Sequence, residues 1–508
     1  MYTLLVRSST ARRDAEMKVS RRLRFVSFHL GIALLMAACM HAPAPRIAGA
    51  PAAPPAPSEP WRAPRGVVPP EPRSEPLTVP AELAGRANNL ALADVVDLAL
   101  RNNPQTQLSW AQARSGAATY GAATAANLPT LDASVNAAYS QTTVGQTLGG
   151  TGTRRSLTPQ ATLSYLLFDF GGRSGSIEAA REAAVALDLT HNATLQNVAL
   201  QAEIDYFTYQ AERGLVAAAQ LSVAEADTNL ASAQMRNKAG VATIADVLQA
   251  ETLLAQAQLA LEQEMGNLET ARGALATSMG LPANARFDVA PPNDSLTVNV
   301  AAVDVDTLIM RALANRPDLA AARAQILQAQ AEVRVAQSAE LPSLTVGSTL
   351  SQPYSSSPNA SGRTFGLTLG LAVPIFNLAR PYNVMAAQAN ADAAAARAGL
   401  LRMQISQQVF TSYSALRTAT QRDRTTAVLI ASATRNEAAA LARYRAGVGT
   451  ILDLITAQAA LASARAQQAQ ARWVWSSALA QLAHDVGIIG PRGETPIPLG
   501  TDSSGVRR

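Results

Sequence analysis

The chain has 508 residues, with 42 Lys and Arg, 37 Asp and Glu, four His and one Cys. A single Cys excludes a disulfide-stapled scaffold, and the length exceeds what one ordinary hydrophobic core holds. The net charge of +5 does not indicate nucleic-acid binding, because seven basic and two acidic residues within residues 1–24 account for all of it. An aromatic content of 5% favours closely packed, Ala-rich helices.

Residues 1–38 have the organisation of a signal peptide. Basic residues precede an apolar run over residues 25–38, which is shorter than the roughly 20 residues of a spanning helix. The small residues before Cys39 resemble a bacterial lipobox, although Met36 stands where Leu is more common, so we expect cleavage before Cys39 and its lipidation. A plain thiol in an ordinary signal peptide is the alternative. Met17 heads a better-proportioned signal than Met1 does.

A Pro-rich segment follows the cysteine. Residues 42–80 contain 13 prolines in 39 positions, which excludes helix interiors and central strands. We predict an extended tether over residues 39–80. A recognition motif for an aromatic-groove partner is the alternative.

The body of the chain is an internal repeat, with copies over residues 81–285 and 302–491, a connector over 286–301 and a tail over 492–508. Four landmarks recur in one order, at spacings of 213, 213, 208 and 207 residues: Pro104 and Pro317, Pro129 and Pro342, Phe168 and Phe376, and Gly240 and Gly447.

Each copy begins with a helix that ends at a Leu-Pro pair, as over residues 92–126 of the first copy, and continues into two segments that alternate apolar and polar residues. In the first copy the apolar face holds Leu131, Val135, Leu163 and Leu167, and the polar face holds Asp132, Ser134, Asn136, Thr162 and Ser164. The segments have about the 9 to 11 residues of a tilted transmembrane strand. Residues 141–155 and 352–363 are predicted loops.

Four strands per chain do not close a barrel, and lipid does not tolerate open edges. A soluble hairpin half-buried against helices is the alternative. Two copies of the chain would supply eight strands around a filled interior, and three copies would supply 12 strands around a channel.

A very long helix follows each strand pair, over about residues 174–237 and 380–444. Some 60 residues at 1.5 Å per residue span roughly 90 to 100 Å. The chain then turns at Gly240 or Gly447 and returns over residues 244–279 or 451–486, which gives two antiparallel helical hairpins.

Neither catalysis nor a cofactor or metal site is indicated. His41, His191 and His484 are isolated from ligand-spaced residues, and the sequence has no Gly-rich phosphate loop. We therefore predict that the protein is not an enzyme.

These features together resemble the TolC-like outer membrane factor (outer membrane efflux protein) family, over residues 90–491, and with Cys39 the NodT-related lipoprotein branch. The resemblance implies a mainly α protein with a small membrane β part. It also implies a homotrimer in which a 12-stranded β-barrel continues into a 12-helix α-barrel. Such a channel would be lipid-anchored in the outer membrane and extend into the periplasm. It would passively conduct small compounds from an inner-membrane transporter, of RND type, and a periplasmic adaptor.

The resemblance also implies functional residues at the hairpin tips. Adaptor docking falls on two turn segments: Ala239, Gly240, Val241 and Ala242, and Ala446, Gly447, Val448 and Gly449. Asp246 and Asp453 correspond to acidic residues of the closed aperture; the alternative is an early-helix charge favourable to the helix dipole. Gly449 and Thr456 depart from the family pattern of a salt-bridge latch. The basic residues that would have to replace it are Arg236, Lys238, Arg443 and Arg445.

Two other functions remain open at this point. One is the outer component of a type I protein secretion system. The other, of a different class, is a lipid-anchored periplasmic coiled-coil adaptor or structural protein, which would lack lipid-facing strands.

Overall fold

The computed structural model describes residues 46–47, 50–51, 89–144, 150–291, 304–355 and 362–488. Contacts divide the chain into two units, residues 1–76 and residues 77–508. In the first unit, strands β1 (Arg46–Ile47) and β2 (Ala50–Pro51) form a short antiparallel pair. Cys39 and the predicted signal peptide lie outside the described residues, as does most of the predicted tether.

The second unit repeats one order of elements. The first copy comprises α1 (Leu92–Asn102), α2 (Pro104–Ala125), β3 (Thr130–Val144), β4 (Gly150–Phe168), α3 (Gly172–Lys238) and α4 (Ile244–Ser278). The second copy comprises α5 (Val305–Asn315), α6 (Pro317–Ser338), β5 (Ser343–Ser351), β6 (Tyr354–Ser355), β7 (Thr364–Ala372), α7 (Ala379–Arg445) and α8 (Ile451–Asp485). The same order of helices and paired strands therefore recurs, and the two-residue β6 has no counterpart among the described strands of the first copy.

The opening helix of each copy is two helices, where the sequence predicts one over residues 92–126. Asn103 and Arg316 precede a proline and have ψ angles of 127° and 123°, which are extended. A residue before proline avoids the helical region because the ring clashes with its backbone. Proline then begins the next helix, where its fixed φ is favourable and no amide hydrogen is needed.

Four antiparallel strands form one sheet in the order β3, β4, β5, β7, and the two-residue β6 pairs with β4. The register joins Leu131 to Leu163, Leu163 to Ser348, and Ser348 to Leu367. The adjacent row joins Asp132 to Thr162, Thr162 to Thr349, and Thr349 to Gly366. Apolar residues therefore share one face across both copies and polar residues share the other, as the alternation predicts.

The predicted loops are shorter than expected. Strands β3 and β4 extend to Val144 and from Gly150, so most of the predicted loop over residues 141–155 is strand. In the second copy, Tyr354 and Ser355 pair with Leu157 and Ser156 of β4. Thr, Ser and Gly fit either a strand or a loop on a polar surface, so composition alone does not locate the strand ends.

The long helices α3 and α7 have 67 residues each, or about 100 Å at 1.5 Å per residue. Helix α7 buries every seventh residue over six consecutive heptads, from Ala398 through Ser412 and Thr426 to Ala440. This spacing is that of a left-handed coiled coil. Its partner α8 buries Ala457, Ala464 and Ala471 at the same spacing. Small residues at these positions let the helices approach closely.

The helices form a wall that is one helix thick. Near the sheet, α3 packs against α2 and α6, and α6 packs against α7. Near the turns, α3 packs against α4 and α8, and α8 packs against α7. The order across the wall is therefore α2, α3, α6, α7 at one level and α4, α3, α8, α7 at the other. Helices α2 and α4 lie on one flank, and α7 lies on the opposite flank.

A buried polar junction joins the elements of the second copy where α5 meets α6. The Arg316 side chain is 10% exposed, and its Nη2 lies 2.7 Å from Asp318 Oδ2. Its Nη1 donates to Gln408 Oε1 of α7 at 2.8 Å and lies 4.0 Å from Asp485 Oδ1 of α8. Although burial opposes it, hydrogen bonds from His484, Ser412 and Gln481 lower the pKa of Asp485 below its ordinary value. Arg316 thus supplies the cation beside a buried carboxylate.

We expect Arg316→Ala to lower the free energy of unfolding by about 3 kcal/mol, because the buried Asp485 would lose its cation. Arg334→Ala removes an exposed arginine from α6, the helix that Arg316 precedes, and should change the free energy of unfolding by less than about 0.5 kcal/mol. The measurement is urea unfolding in detergent, followed by helical circular dichroism. Equal effects of the two substitutions would contradict a special role for the junction.

Candidate functional site

The sheet is the first part of the candidate site, because its apolar face has no cover within the chain. Leu131, Phe365 and Leu367 are 73%, 71% and 72% exposed. Large apolar residues this exposed, on one face of the sheet, mark a surface that contacts lipid or another apolar partner. The opposite face carries Asp132, Ser134 and Asn136 of β3, which pair with Thr162, Gln160 and Thr158 of β4.

The sheet also has two unpaired edges among the described strands, since β3 pairs only with β4, and β7 only with β5. The edge strands expose backbone hydrogen-bonding groups that an apolar medium cannot satisfy. The sheet is therefore one segment of a larger closed structure when its apolar face lies in lipid.

The second part of the site is the pair of hairpin turns at the far end of the wall. Gly240 and Gly447 have φ angles of 76° and 73°, a region that residues with a Cβ rarely adopt. Val241 N donates to Arg236 O at 3.0 Å, and Gly240 N donates to Asn237 O at 2.9 Å. Val448 and Gly447 form the same two bonds to Arg443 and Tyr444. Both turns are Schellman motifs, which close a helix with glycine after its last turn.

The turns present matched apolar side chains to solvent. Val241 and Val448 are 66% and 78% exposed. Beside them runs a shallow groove between α4 and α8, lined by Leu248, Thr252 and Leu253 of α4 and by Leu452 and Ile455 of α8. The predicted docking residues 239–242 and 446–449 therefore lie together on one exposed tip.

Asp246 and Asp453 each cap the helix that follows a turn. Asp246 Oδ2 accepts from Thr243 N at 2.8 Å and from Thr243 Oγ1 at 2.9 Å, and Asp246 N donates to Thr243 Oγ1 at 3.3 Å. Thr450 and Asp453 repeat this arrangement. This is a capping box with Asp in place of the usual Glu. The Thr-x-x-Asp spacing in each copy is a sequence signal for this capping box. Assigning the two aspartates to a gate takes no account of that signal.

The capping geometry favours the helix-dipole alternative for both carboxylates, and a role in the gate stays a prediction. Hydrogen bonds from the Thr450 side chain and backbone, with Arg443 nearby, lower the pKa of Asp453 below its ordinary value. Asp453 is therefore a stable anion close to Arg443.

Arg236 joins the two hairpins without an acidic partner. Its Nη1 donates to the carbonyl oxygen of Tyr444 at 2.9 Å, and its guanidinium lies 4.6 Å from the centre of the Tyr444 ring. Both residues belong to or border the tip cluster of α3, α4, α7 and α8, which includes Val247 and Leu454. Sequence reasoning names Arg236 as a replacement for a salt bridge, but its contact is a cation–π pair with a carbonyl hydrogen bond.

The other basic candidates differ in position. Arg443 approaches Asp453, whereas Lys238 and Arg445 are exposed and form no ion pair among the described residues. Arg236 Nε and Tyr444 Oη are buried and lack a partner among the described residues. At the tip the two hairpins are therefore joined by the apolar cluster and by the contact of Arg236 with Tyr444, whereas each helix cap stays within its own hairpin.

Partly buried carboxyls lie along α3 above the tip. Burial raises the pKa of Glu203 from 4.5 to about 7. Burial, and then the neighbouring Glu264 of α4, raise the pKa of Glu212. In the second copy the positions of Glu212 and Glu264 are occupied by the buried Ala419 and Ala471. The first hairpin thus contains acidic groups that the second lacks.

No metal site is present in the described part of the chain, where no three His, Cys, Asp or Glu side chains come together. Ser109 Oγ lies 2.8 Å from His191 Nδ1 but donates to the Thr106 carbonyl oxygen at 3.1 Å. That serine is a packing residue between helices. None of the described helices has an apolar stretch long enough to cross a membrane.

Comparison with known proteins identifies relatives of both copies. The model of the outer membrane efflux protein family matches residues 95–281 and 308–487. Protein CyaE of Bordetella pertussis is 28% identical over 388 residues, which cover 75% of this chain and 81% of that protein. The pyoverdine export outer membrane protein OpmQ of Pseudomonas aeruginosa is 29% identical over 57% of this chain and 62% of its own length.

Solved structures share the fold. The Campylobacter jejuni outer membrane channel CmeC has a TM-score of 0.71 and 19% identity, with 79% of this chain and 86% of that chain covered. The outer-membrane channel OprN has a TM-score of 0.70 and 19% identity, with 78% and 89% covered. At this identity the likeness shows the fold.

Glu203 should make the stability of the first hairpin depend on pH. Because its pKa is raised in the folded state, its contribution is fully present below about pH 4.5 and is lost as the pH rises through about 7. We expect Glu203→Gln to flatten the fall in thermal midpoint between pH 5 and 8, with the exposed Glu332→Gln as control. An unchanged pH dependence in Glu203→Gln would contradict this assignment.

We expect Arg236→Ala to speed amide hydrogen exchange about tenfold in both helix ends at the tip, because a hydrogen bond and a stacking contact are lost together. Arg236→Lys keeps the charge but loses the planar stacking, and should give an intermediate rate. Lys238→Ala is the matched control. Exchange that stays at the wild-type rate in Arg236→Ala would show that the contact does not hold the tip.

Proposed function

Since the chain belongs to the outer membrane efflux protein family, we propose that it is the exit channel of a tripartite efflux system. It is an outer-membrane efflux channel, and its family and fold are those of channels. The finer proposal is that small compounds, delivered by an energised inner-membrane transporter of RND type, pass through it without chemical change. The single observation that carries the proposal is the open four-stranded sheet joined to a helical wall about 100 Å long.

We propose a homotrimer in the outer-membrane lipid. Three chains supply 12 strands, which closes both sheet edges and leaves the polar faces around a water-filled interior. Closing the helical wall in the same way gives 12 helices around a tunnel. The exposed apolar rows then face lipid, and Asp132, Ser134 and Asn136 line the pore.

The tip is the proposed docking site for a periplasmic adaptor. Support comes from two matched turns, at residues 239–242 and 446–449, that place Val241 and Val448 in solvent. Apolar side chains exposed in pairs on a symmetric end are suited to a repeated helical partner. An adaptor would open the tip only by binding the open state more tightly than the closed one.

Small compounds are the proposed substrate class, and relatives support it by name. One is a pyoverdine export protein, and a Pseudomonas putida relative, 25% identical over 56% of this chain, is a solvent efflux pump outer membrane protein. No described feature favours protein secretion or a separate adaptor function. The signal peptide over residues 1–38, the lipid on Cys39 and the tether over residues 39–80 remain parts of the proposal.

The proposed gate residues have a test that separates charge from capping. We expect Asp246→Asn with Asp453→Asn to raise single-channel conductance at rest and weaken block by divalent cations, because the anions at the aperture are removed. Thr243→Val with Thr450→Val removes the cap hydroxyls but keeps both charges. That control should keep the cation block. The measurement uses purified full-length protein in planar bilayers.

Two results would count against the proposals at different levels. Equal changes in the Asn and Val variants would show that both aspartates act as helix caps and not as gate charges. The proposal that the protein is a channel would still stand. A wild-type protein that runs as a single chain in detergent and gives no conductance steps would overturn the trimeric exit channel itself.

A further inference from the structure

The two hairpins carry opposite charge, although the chain after residue 24 is neutral. Helices α3 and α4 with their turn, residues 172–278, hold six basic and 13 acidic side chains, a net charge of −7 with His neutral. Helices α7 and α8 with their turn, residues 379–485, hold 11 basic and five acidic side chains, a net charge of +6. A repeat that keeps its fold but divides its charge in this way points to a role for the difference.

The charge is concentrated on the two flanks of the wall. Helix α4 has five acidic residues and one basic residue, and α7 has nine arginines and three acidic residues. Helix α4 packs along α3, and α7 packs along α8 and α6. In a closed ring of identical chains, the α4 flank of one chain meets the α7 flank of the next, because the wall joins head to tail.

Three exposed acids on α4 and three exposed arginines on α7 have matching spacings. Glu251, Glu262 and Glu269 are separated by 11 and 7 residues, and so are Arg435, Arg424 and Arg417. Steps of 7 and 11 residues return to the same helix face within about 20°. Each set is therefore one stripe, and the sets run in opposite directions along the chain, as α4 and α7 do.

The two stripes also lie at the same heights. Glu251, Glu262 and Glu269 lie 11, 22 and 29 residues from the turn glycine Gly240. Arg435, Arg424 and Arg417 lie 12, 23 and 30 residues from the turn glycine Gly447. At 1.5 Å per residue, each acid and its arginine differ in height by about 1.5 Å.

The seam between α3 and α8 within the chain shows how such a seam packs. Asn229 Nδ2 donates to Gln458 Oε1 at 2.5 Å, and each residue lies 11 positions from its turn glycine. By the 207-residue offset of the repeat, Gln458 occupies the place of Glu251, and Asn229 the place of Asn436, next to Arg435. Repeating this seam between chains therefore brings Glu251 beside Arg435. Gly214 against Ala469 is the corresponding contact higher up; these two residues occupy the places of Gln421 and Glu262, so Glu262 lies beside Gln421, about one helical turn from Arg424.

We infer that α4 of one chain packs beside α7 of a second copy through three opposed pairs: Glu251 with Arg435, Glu262 with Arg424, and Glu269 with Arg417. This rests on the proposed trimer and names the surface that orders it. Within a single chain none of these residues has an ion pair to another helix among the described residues, and Glu269 contacts only Arg272 of its own helix. Joining α4 to α4 or α7 to α7 would set like charges together, so the stripes exclude the wrong pairing.

Charge reversal tests the inference in the full-length protein. Glu251→Lys, Glu262→Lys and Glu269→Lys together should lower the trimer fraction in detergent at low salt by about tenfold or more, since each of three exposed pairs is worth a modest amount and reversal adds repulsion. Adding Arg417→Glu, Arg424→Glu and Arg435→Glu to the same chain should restore the trimer. Arg402→Glu, on α7 above the level of α4, is the control that should keep it. Native mass spectrometry measures the oligomer.

A disulfide test needs no large change of charge. Glu262→Cys with Arg424→Cys should give a covalently linked trimer on a non-reducing gel, whereas Glu262→Cys with Arg402→Cys should not. A charge-reversed variant that stays trimeric, or a restored variant that stays monomeric while its helical circular dichroism is intact, would overturn the inference. The proposed function would still hold after that result if the wild type were a conducting trimer. It would be wrong, independently of the charge stripes, if the wild type were neither trimeric nor conducting.

Discussion

The structure depends on the backbone groups at two edges of one small sheet. Strands β3 and β7 end the sheet, and the face between them is apolar from Leu131 to Phe365. In water such edges are hydrated, but lipid offers no partner for an amide hydrogen or a carbonyl oxygen. The sheet satisfies its edges in lipid only by continuing into another copy. In the proposed trimer that requirement carries over to the helices, because α3 and α7 follow β4 and β7 directly and would share the symmetry of the barrel.

Duplication supplies a wall with two equal halves, and divergence gives the halves different chemistry. In the first copy Asp205 of α3 lies close to Ser278 of α4, whereas in the second copy Ser412 of α7 lies close to Asp485 of α8. The acid and the hydroxyl have exchanged helices, so the contact is conserved in kind. Asn103 occupies the place of Arg316, so Asp205 lacks the matching cation among the described residues. Burial, the largest influence, raises the pKa of Asp205.

Much of the fold is readable from the sequence because a few residues leave no alternative. The Leu-Pro pairs end each opening helix, and Gly240 and Gly447 mark the turn after each long helix, so the repeat predicts the order of elements. The strand faces follow from alternation and are confirmed by the register. The strand ends around residues 144 and 150 are not readable, because Thr and Gly are neutral there. The extended conformation of Asn103 is not predicted from the sequence, because a helical pattern continues on both sides of it.

The tip shows why the site is harder to predict than the fold. The turn segments are identified by their glycines, but the partners of Asp246, Asp453 and Arg236 depend on side-chain geometry within a few ångströms. Thr243 and Thr450 each lie three residues before the aspartate that they contact, so these caps can be recognised from the sequence. The contact of Arg236 with Tyr444 joins residues 208 positions apart and cannot be recognised in this way.

Charge and packing then have separate tasks along the wall. Exposed ion pairs contribute roughly 0 to 1 kcal/mol each, so the ion pairs inferred between chains would not by themselves hold the 12 long helices of the proposed trimer together. Buried heptads, such as that from Ala398 to Ala440, provide cohesion, and the mostly small residues at these positions make the seams alike. Seams that are alike do not distinguish the neighbour within the chain from the neighbour outside it. The seam of α3 and α8 is joined by the uncharged Asn229 and Gln458 and by one ion pair, Glu225 with Arg465, whereas the open flanks of α4 and α7 carry opposite charge in stripes of three residues each. Opposite charge therefore favours pairing of the α4 flank with the α7 flank of another copy, while the close packing of small residues holds the wall together.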